Sequence, residues 1–288
     1  MKQILIRMKI NIQNILVCVL VLSIDACART AQNQIQQSPI ESLVAQSVCE
    51  IDSMNQLSDT AIDFLQQYDL SQTVLYKNPS YNIHTRYLEA TEPLGFRGDN
   101  YQRFYIHWDT IYRQTPRIYR IEGRTRCKDE YCDVSGVTVI DSVKFYFPYF
   151  FPGIEFHEGA VFGHYTMIAT QDDVPVGKLQ GQAIYYFMVT NDSIFYSTNG
   201  IMDDECGREH RGVFIDMRTN DTLRCNWGDL DIPDSGDLNE GWGCFFVNKK
   251  YYDNGWQTMY DSEHLGSCNE PSHAYYVSLN KIDNNWWK

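Results

Sequence analysis

From about Tyr101 to the end of the chain, apolar and polar residues alternate with a period of two. Successive side chains of a strand point to opposite faces, so this pattern demands half-buried β-strands and limits the fold more than any other feature. Arg117 to Cys127 shows it best. Tyr119, Ile121, Gly123 and Thr125 alternate there with Arg120, Glu122, Arg124 and Arg126. Val134 to Phe147, interrupted at Asp141-Ser142, reads as a second strand, and Val161 to Thr170 as a third. Gly181 to Thr190 and Ser193 to Thr198 flank the turn Asn191-Asp192. Val213 to Arg218 and Leu223 to Trp227 flank Asn220-Asp221, and both turns offer residues that tolerate positive φ. Phe245 to Val247 and Ala274 to Ile282 complete a set of roughly nine to twelve strands with short connections. A mainly β fold is expected, an antiparallel barrel or a two-layer sandwich with about two N-terminal helices packed on it. Helices do not alternate with strands, which excludes a parallel α/β sheet and the nucleotide sites such sheets carry.

The N-terminus reads as an export signal. Lys2, Arg7 and Lys9 precede the apolar run Ile15 to Ile24, which falls short of the roughly 20 residues a spanning helix needs. Ile24-Asp25-Ala26-Cys27 is similar to a bacterial lipobox, with Cys27 as the lipid-attachment residue. Asp25 departs from that pattern, and Ala26-Cys27-Ala28 also fits ordinary cleavage after Ala28. Residues 1–27 are thus a signal peptide and 28–37 a flexible, Gln-rich tether. Residues 38–70 form a helical segment, and 71–288 a single antiparallel β domain. In the helical segment Ser38-Pro39-Ile40-Glu41 has the form of a capping box, and a second helix begins near Ser58 or Asp59 and runs to about Tyr68. Its inward residues are Ile62, Leu65 and Ala61.

The formal net charge is −13, and no dense Lys/Arg run occurs, which argues against a nucleic-acid partner. Of nine cysteines, seven follow Cys27. Disulfides are the expectation in an oxidising compartment, with Cys127 and Cys132 as one local bridge and Cys225 and Cys244 as another.

No nucleophile elbow, phosphate-binding glycine loop or helical zinc-protease motif occurs. His157, Glu158 and His164 read as a surface loop, as do Asp203, Asp204, Glu205, Arg208, Glu209 and His210. The stretch Cys225 to Cys244 is the most distinctive. Asp229, Asp231, Asp237 and Glu240 match positions 1, 3, 9 and 12 of a calcium loop, but Pro233 and Asp234 replace its inner ligand and its glycine. Calcium of a different site type is the one cofactor the sequence suggests. Aromatic rings stack on sugars, and Trp227, Trp242, Trp256, Trp286 and Trp287 lie in or near loops or the terminus. Core packing is the commoner use of tryptophan. Trp227, Trp242 and Trp256 are taken as the ligand-contact candidates.

Arg120-Ile121-Glu122-Gly123, Cys132-Asp133 before Gly136 to Val139, Cys225 to Asp229 before Ile232-Pro233, Gly236-Asp237, and Tyr252 to Trp256 together resemble a group of predicted lipoproteins from Bacteroidota that carry no assigned activity. The resemblance covers half the chain and implies a cell-envelope location, facing the periplasm or the cell surface. The expected function is a non-enzymatic lipoprotein, held to the membrane by its lipid, that binds a protein or glycan in the manner of an immunity protein, inhibitor or glycan-binding module. The alternatives are a secreted hydrolase using two of Asp203, Asp204, Asp229 and Asp231, and a structural component of an outer-membrane complex.

Overall fold

The computed structural model describes residues 59–75, 93–151, 154–190, 193–197, 208–229, 231–241, 245–265 and 286–287. All of them belong to the larger of two compact units, Val44–Lys288. The signal region, Cys27, the helix expected from Ser38, the strand expected from Ala274 to Ile282, and Asp203, Asp204, Trp242 and Cys244 lie outside the described residues.

Nine strands are described: β1 (Leu94–Arg97), β2 (Gln102–Arg113), β3 (Ile118–Cys127), β4 (Glu130–Phe151), β5 (Ile154–Gln171), β6 (Val174–Thr190), β7 (Ser193–Tyr196), β8 (Arg208–Asp216) and β9 (Thr222–Gly228). Each of β1 to β6 pairs antiparallel with the next. The second edge of β6 is shared by β7 and β8. Strand β8 pairs with β9, and β9 returns to β1. Eight strands therefore close into an antiparallel barrel, with β7 as an extra segment on the far half of β6. The closed part has no free edge, but the second half of β4, Asp141 to Phe151, runs past β3 and pairs only with β5 among the described strands. Of the two architectures the sequence allowed, the barrel is the one formed.

The strands run longer than the alternation suggested. The Asp141-Ser142 interruption is a bulge inside one 22-residue strand, where the β4–β5 register shifts between Ile140 and Ser142. Phe245 to Val247 supplies only an isolated bridge from Val247 to Asn239. His157, Glu158 and His164 are not in a loop but in β5, and Arg208, Glu209 and His210 open β8.

An eight-stranded barrel is just wide enough for side chains to fill, and here they do. Ile106, Trp108, Ile121, Val134, Met167, Leu179, Tyr185 and Trp227 are among the inward-facing buried residues. Glycines make room for the largest rings. A Cβ on Gly212 would lie 2.3 Å from the Tyr165 hydroxyl, and one on Gly181 2.8 Å from it.

Helix α1 (Asp59–Gln67) matches the expected boundaries and buries Ala61, Phe64 and Leu65. It does not lie along the barrel's side. Phe64 stacks on Phe187 and meets Phe145 edge-on, and the turn Ser71–Leu75 that follows sends Val74 and Leu75 into the same core. Gln72 Nε2 donates to the Ile111 carbonyl of β2, and Arg208 of β8 donates to the Leu75 carbonyl. The segment is a plug across the end where β2 finishes and β8 begins. Sequence periodicity finds such a helix but cannot tell a barrel's end from its flank.

A second apolar cluster sits outside the wall at β1. Leu94 and Phe96 face outward there and pack with Tyr101, Leu238, Phe245, Tyr251 and Trp256. Helix α2 (Gln257–Leu265) contributes Met259. No described helix is long and apolar enough to cross a membrane.

Candidate functional site

The barrel interior holds the polar groups that the sequence placed in loops. Asp229 is 0% exposed at its side chain and takes both ends of the Arg208 guanidinium, at 2.7 and 2.9 Å. It also accepts from the Arg208 backbone N–H at 2.9 Å and from the Tyr196 hydroxyl at 2.6 Å. His210, two residues along β8, stacks on Trp227 with centroids 4.6 Å apart and shares a hydrogen bond with the Tyr185 hydroxyl, itself bonded to Thr138. Burial, reinforced by the nearby Arg208 charge, pushes the His210 pKa down to about 3, so the ring is neutral. The Asp229 carboxylate is spent on its neighbours, whereas His210 Nδ1 is buried without a hydrogen-bond partner. Asp229 cannot serve as half of a hydrolytic carboxylate pair while four hydrogen bonds hold it.

Three thiols occupy the opposite end. Cys127, Cys132 and Cys225 are buried and free, in place of the bridges expected. The register pairs Cys127 with Glu130, and Cys132 with Thr125, so the two cysteines are diagonal neighbours. Diagonal positions are about 7–8 Å apart, too far for the roughly 3.8 Å between Cβ atoms of a disulfide. Above them Glu130 receives Arg97 and Arg218, each at 2.7 Å, and Arg218 also reaches Asp216. Burial pushes the Cys132 thiol up to about 11 and raises Cys127 and Cys225 as well. Thiolates are the reactive form, so alkylation of the native protein at neutral pH is expected to spare these three. Peptide mapping should find them labelled after denaturation without reductant. Labelling in the native state, or protection that only a reductant lifts, would contradict the assignment.

The acids of the calcium-like stretch do not converge. Asp229 is inside the barrel, and Asp231 accepts from its neighbour Ile232 N–H and from Asn239. Asp237 binds Lys250 and Tyr251, and Glu240 is exposed. Among the described residues no group of three or more His, Cys, Asp or Glu could hold a metal ion. Two of the tryptophans put forward as ligand contacts are core residues. Trp227 and Trp256 are both 0% exposed, one inside the barrel and the other in the outer cluster, where its indole N–H donates to the Tyr101 carbonyl.

The open aromatic surface lies elsewhere on the wall. A pocket of about 470 Å³ opens over the outward faces of β3, β4 and β5, walled by Trp286, Trp287 and the half-exposed Tyr131. Its polar rim is Arg124, Asp133, Thr170 and Asp172. The strand period fixes most of these positions, because Arg124, Tyr131, Asp133 and Thr170 are all outward residues of paired strands. Asp172 comes from the two-residue turn between β5 and β6, where Asp172 and Asp173 take φ of 51° and 62°. A two-residue hairpin turn of type I′ requires positive φ at both positions, and Asp tolerates it. The C-terminal tryptophans are held by outward residues of β2 and β3. Trp287 stacks on His107 with centroids 4.2 Å apart and planes 7° from parallel, and its carbonyl accepts from Arg124. Trp286 packs near Tyr105, whose ring carries the Arg126 guanidinium at 4.0 Å.

A second groove, of about 400 Å³, crosses β4, β5, β6 and β8 and contains Asp141, Lys144, Phe162, His164, Gln182 and Arg211. The β4 bulge puts Asp141 against His164, and Arg211 is paired with Glu209 and Asp234. Its charges largely satisfy each other, and it offers one outward aromatic, Phe162, which already lies under Lys144.

These features define the class of the protein: an end-plugged, side-chain-filled, eight-stranded antiparallel β-barrel with a pocket on its outer wall. No protein-family model, curated protein or solved structure matches the chain.

Proposed function

We propose that the protein is a non-enzymatic binding protein of the bacterial cell envelope, anchored through a lipid on Cys27, and that it takes a glycan in the outer-wall pocket. One observation carries the reading: two adjacent tryptophans and a tyrosine border a space of about 470 Å³ whose rim is made of hydrogen-bonding side chains. The C–H face of a sugar ring stacks on the electron-rich face of an indole, while its hydroxyls need donors and acceptors arranged around that stack. Arg124 supplies donors, Asp133 and Asp172 acceptors, and Thr170 can act as either. The volume falls within the range of about 300–1,000 Å³ usual for ligand pockets. The filled interior supports the same reading, because a ligand must then be met on the outside.

The hydrolase reading loses its best-placed carboxylate, since Asp229 is bound inside the barrel. The scaffold reading would call for a contiguous apolar patch. The large exposed hydrophobics among the described residues are instead spread over separate elements, such as Tyr112, Phe145, Val174 and Phe246.

The test is a panel of soluble oligosaccharides titrated against the full mature chain. Trp287→Ala is expected to weaken binding of the best ligand by about tenfold or more, an effect of roughly 1.4 kcal/mol. Its unfolding transition should stay close to that of the parent, because the residue covers the outer wall and fills no part of the core. Undiminished binding by Trp287→Ala would remove the pocket from the account.

A further inference from the structure

We infer that the outer-wall pocket selects a glycan bearing protonated amino groups, an amino sugar with a free amine; this rests on the glycan reading above. The case is the balance of charge around the aromatic wall. Arg124 is the one cation lining the pocket among the described residues, and its guanidinium is already shared between Asp109 at 3.4 Å and Asp133 at 3.7 Å. Asp172 has no ion-pair partner among the described residues, yet its place in the β5–β6 turn is fixed. Arg126, the next cation, lies behind the wall with its guanidinium over the Tyr105 ring and 5.7 Å from that of Trp286. Among the described residues, Asp109, Asp133 and Asp172 in and beside the pocket thus stand against two guanidiniums, one of them engaged by π-faces. The chain as a whole, at −13, adds a negative field that attracts cations to any such opening.

The aromatic groups point the same way. Arg126 shows that the rings on this wall accept a cation, since the negative faces of Tyr and Trp attract positive charge. An amino sugar satisfies both halves of the site. Its ring stacks on the tryptophan wall, and its ammonium, a donor of three hydrogen bonds with no acceptor, faces the Asp172 and Asp133 carboxylates. A neutral N-acetylated sugar would leave Asp172 unpaired, and an acidic sugar would meet like charge.

The experiment is calorimetric titration of the full mature chain with glucosamine oligomers and with N-acetylglucosamine oligomers of the same length, at mildly acidic pH and at two salt concentrations. The free-amine oligomer is expected to bind about tenfold more tightly or better, with the advantage shrinking as salt rises. Asp172→Asn should erase most of that advantage, weakening the free-amine oligomer far more than the N-acetylated one. If the two oligomers bind alike and Asp172→Asn changes neither, selection by charge is wrong while the glycan reading stands. If no oligosaccharide binds and Trp287→Ala is silent, the glycan reading itself fails. A lysine-rich peptide that binds as tightly as the glucosamine oligomer would overturn the assignment to a sugar.

Discussion

Breaking the Arg208–Asp229 pair, by Asp229→Asn or Arg208→Met alone, is expected to cost about 3–5 kcal/mol, because either change leaves one charge buried without its partner. The side chains are 4% and 0% exposed, and the pair joins more than two residues. Asp229 at the end of β9 also holds the Tyr196 hydroxyl of β7, and Arg208 Nη1 donates to the Leu75 carbonyl of the plug at 2.7 Å. Losing the pair therefore loosens the seal of the barrel together with its wall. Replacing both partners by apolar residues of similar size removes the unpaired charge, so the double variant should recover much of the loss. Urea unfolding at neutral pH, followed by tryptophan fluorescence, measures all three variants. Single variants within about 1 kcal/mol of the parent would show that the pair contributes little.

The second large effect is on acid stability. His210 has its pKa at about 3 in the folded protein against an ordinary value of 6.5, so at intermediate pH the unfolded chain binds a proton that the native barrel excludes. A depressed histidine pKa thus contributes nothing above about 6.5 and destabilises progressively as pH falls from there towards about 3, by up to about 1.4 kcal/mol per pH unit. Other groups add to the acid slope. Asp216 is held down to about 2 by the hydrogen bonds of Arg218, and its contribution also disappears in acid. The difference between the parent and His210→Phe isolates the histidine. That variant gives up the bond to Tyr185 and should be weaker at pH 7, but its stability should fall less between pH 6.5 and 4. Parallel curves for the two proteins would mean that His210 is protonated in the native state or is exposed to water.

The strands were legible because their signal is local. Tyr119 to Cys127 alternates cleanly, and its inward and outward sets are those of β3. Helix α1 was legible for the same reason, from the spacing of Ala61 and Leu65, although Phe64, a buried residue of the plug, was not singled out. Long-range closure was not legible. Nothing in residues 208–228 announces that β9 returns to β1, and that return carries Arg208 and His210 from one apparent acidic loop, and Asp229 from another, into the barrel. The calcium-like spacing failed for the same reason. Asp229 turns inward while Asp231 and Asp237 stay outside, and only the course of the chain separates them. The pocket assembles residues more than 100 positions apart, Arg124 with Trp287, so no spacing within the sequence could mark it. A weak signal did exist in the adjacent Trp286 and Trp287 near the C-terminus, which repay no core position when the alternating strands are counted.

The most direct test of the claim that ligand is met on the outer wall is to follow the six indole N–H resonances by NMR while an oligosaccharide is added. The resonances of Trp286 and Trp287 are expected to move in a saturable way, while those of the buried Trp108, Trp227 and Trp256 stay fixed. Shifts confined to Trp108 and Trp227 would place the ligand inside the barrel and contradict the account.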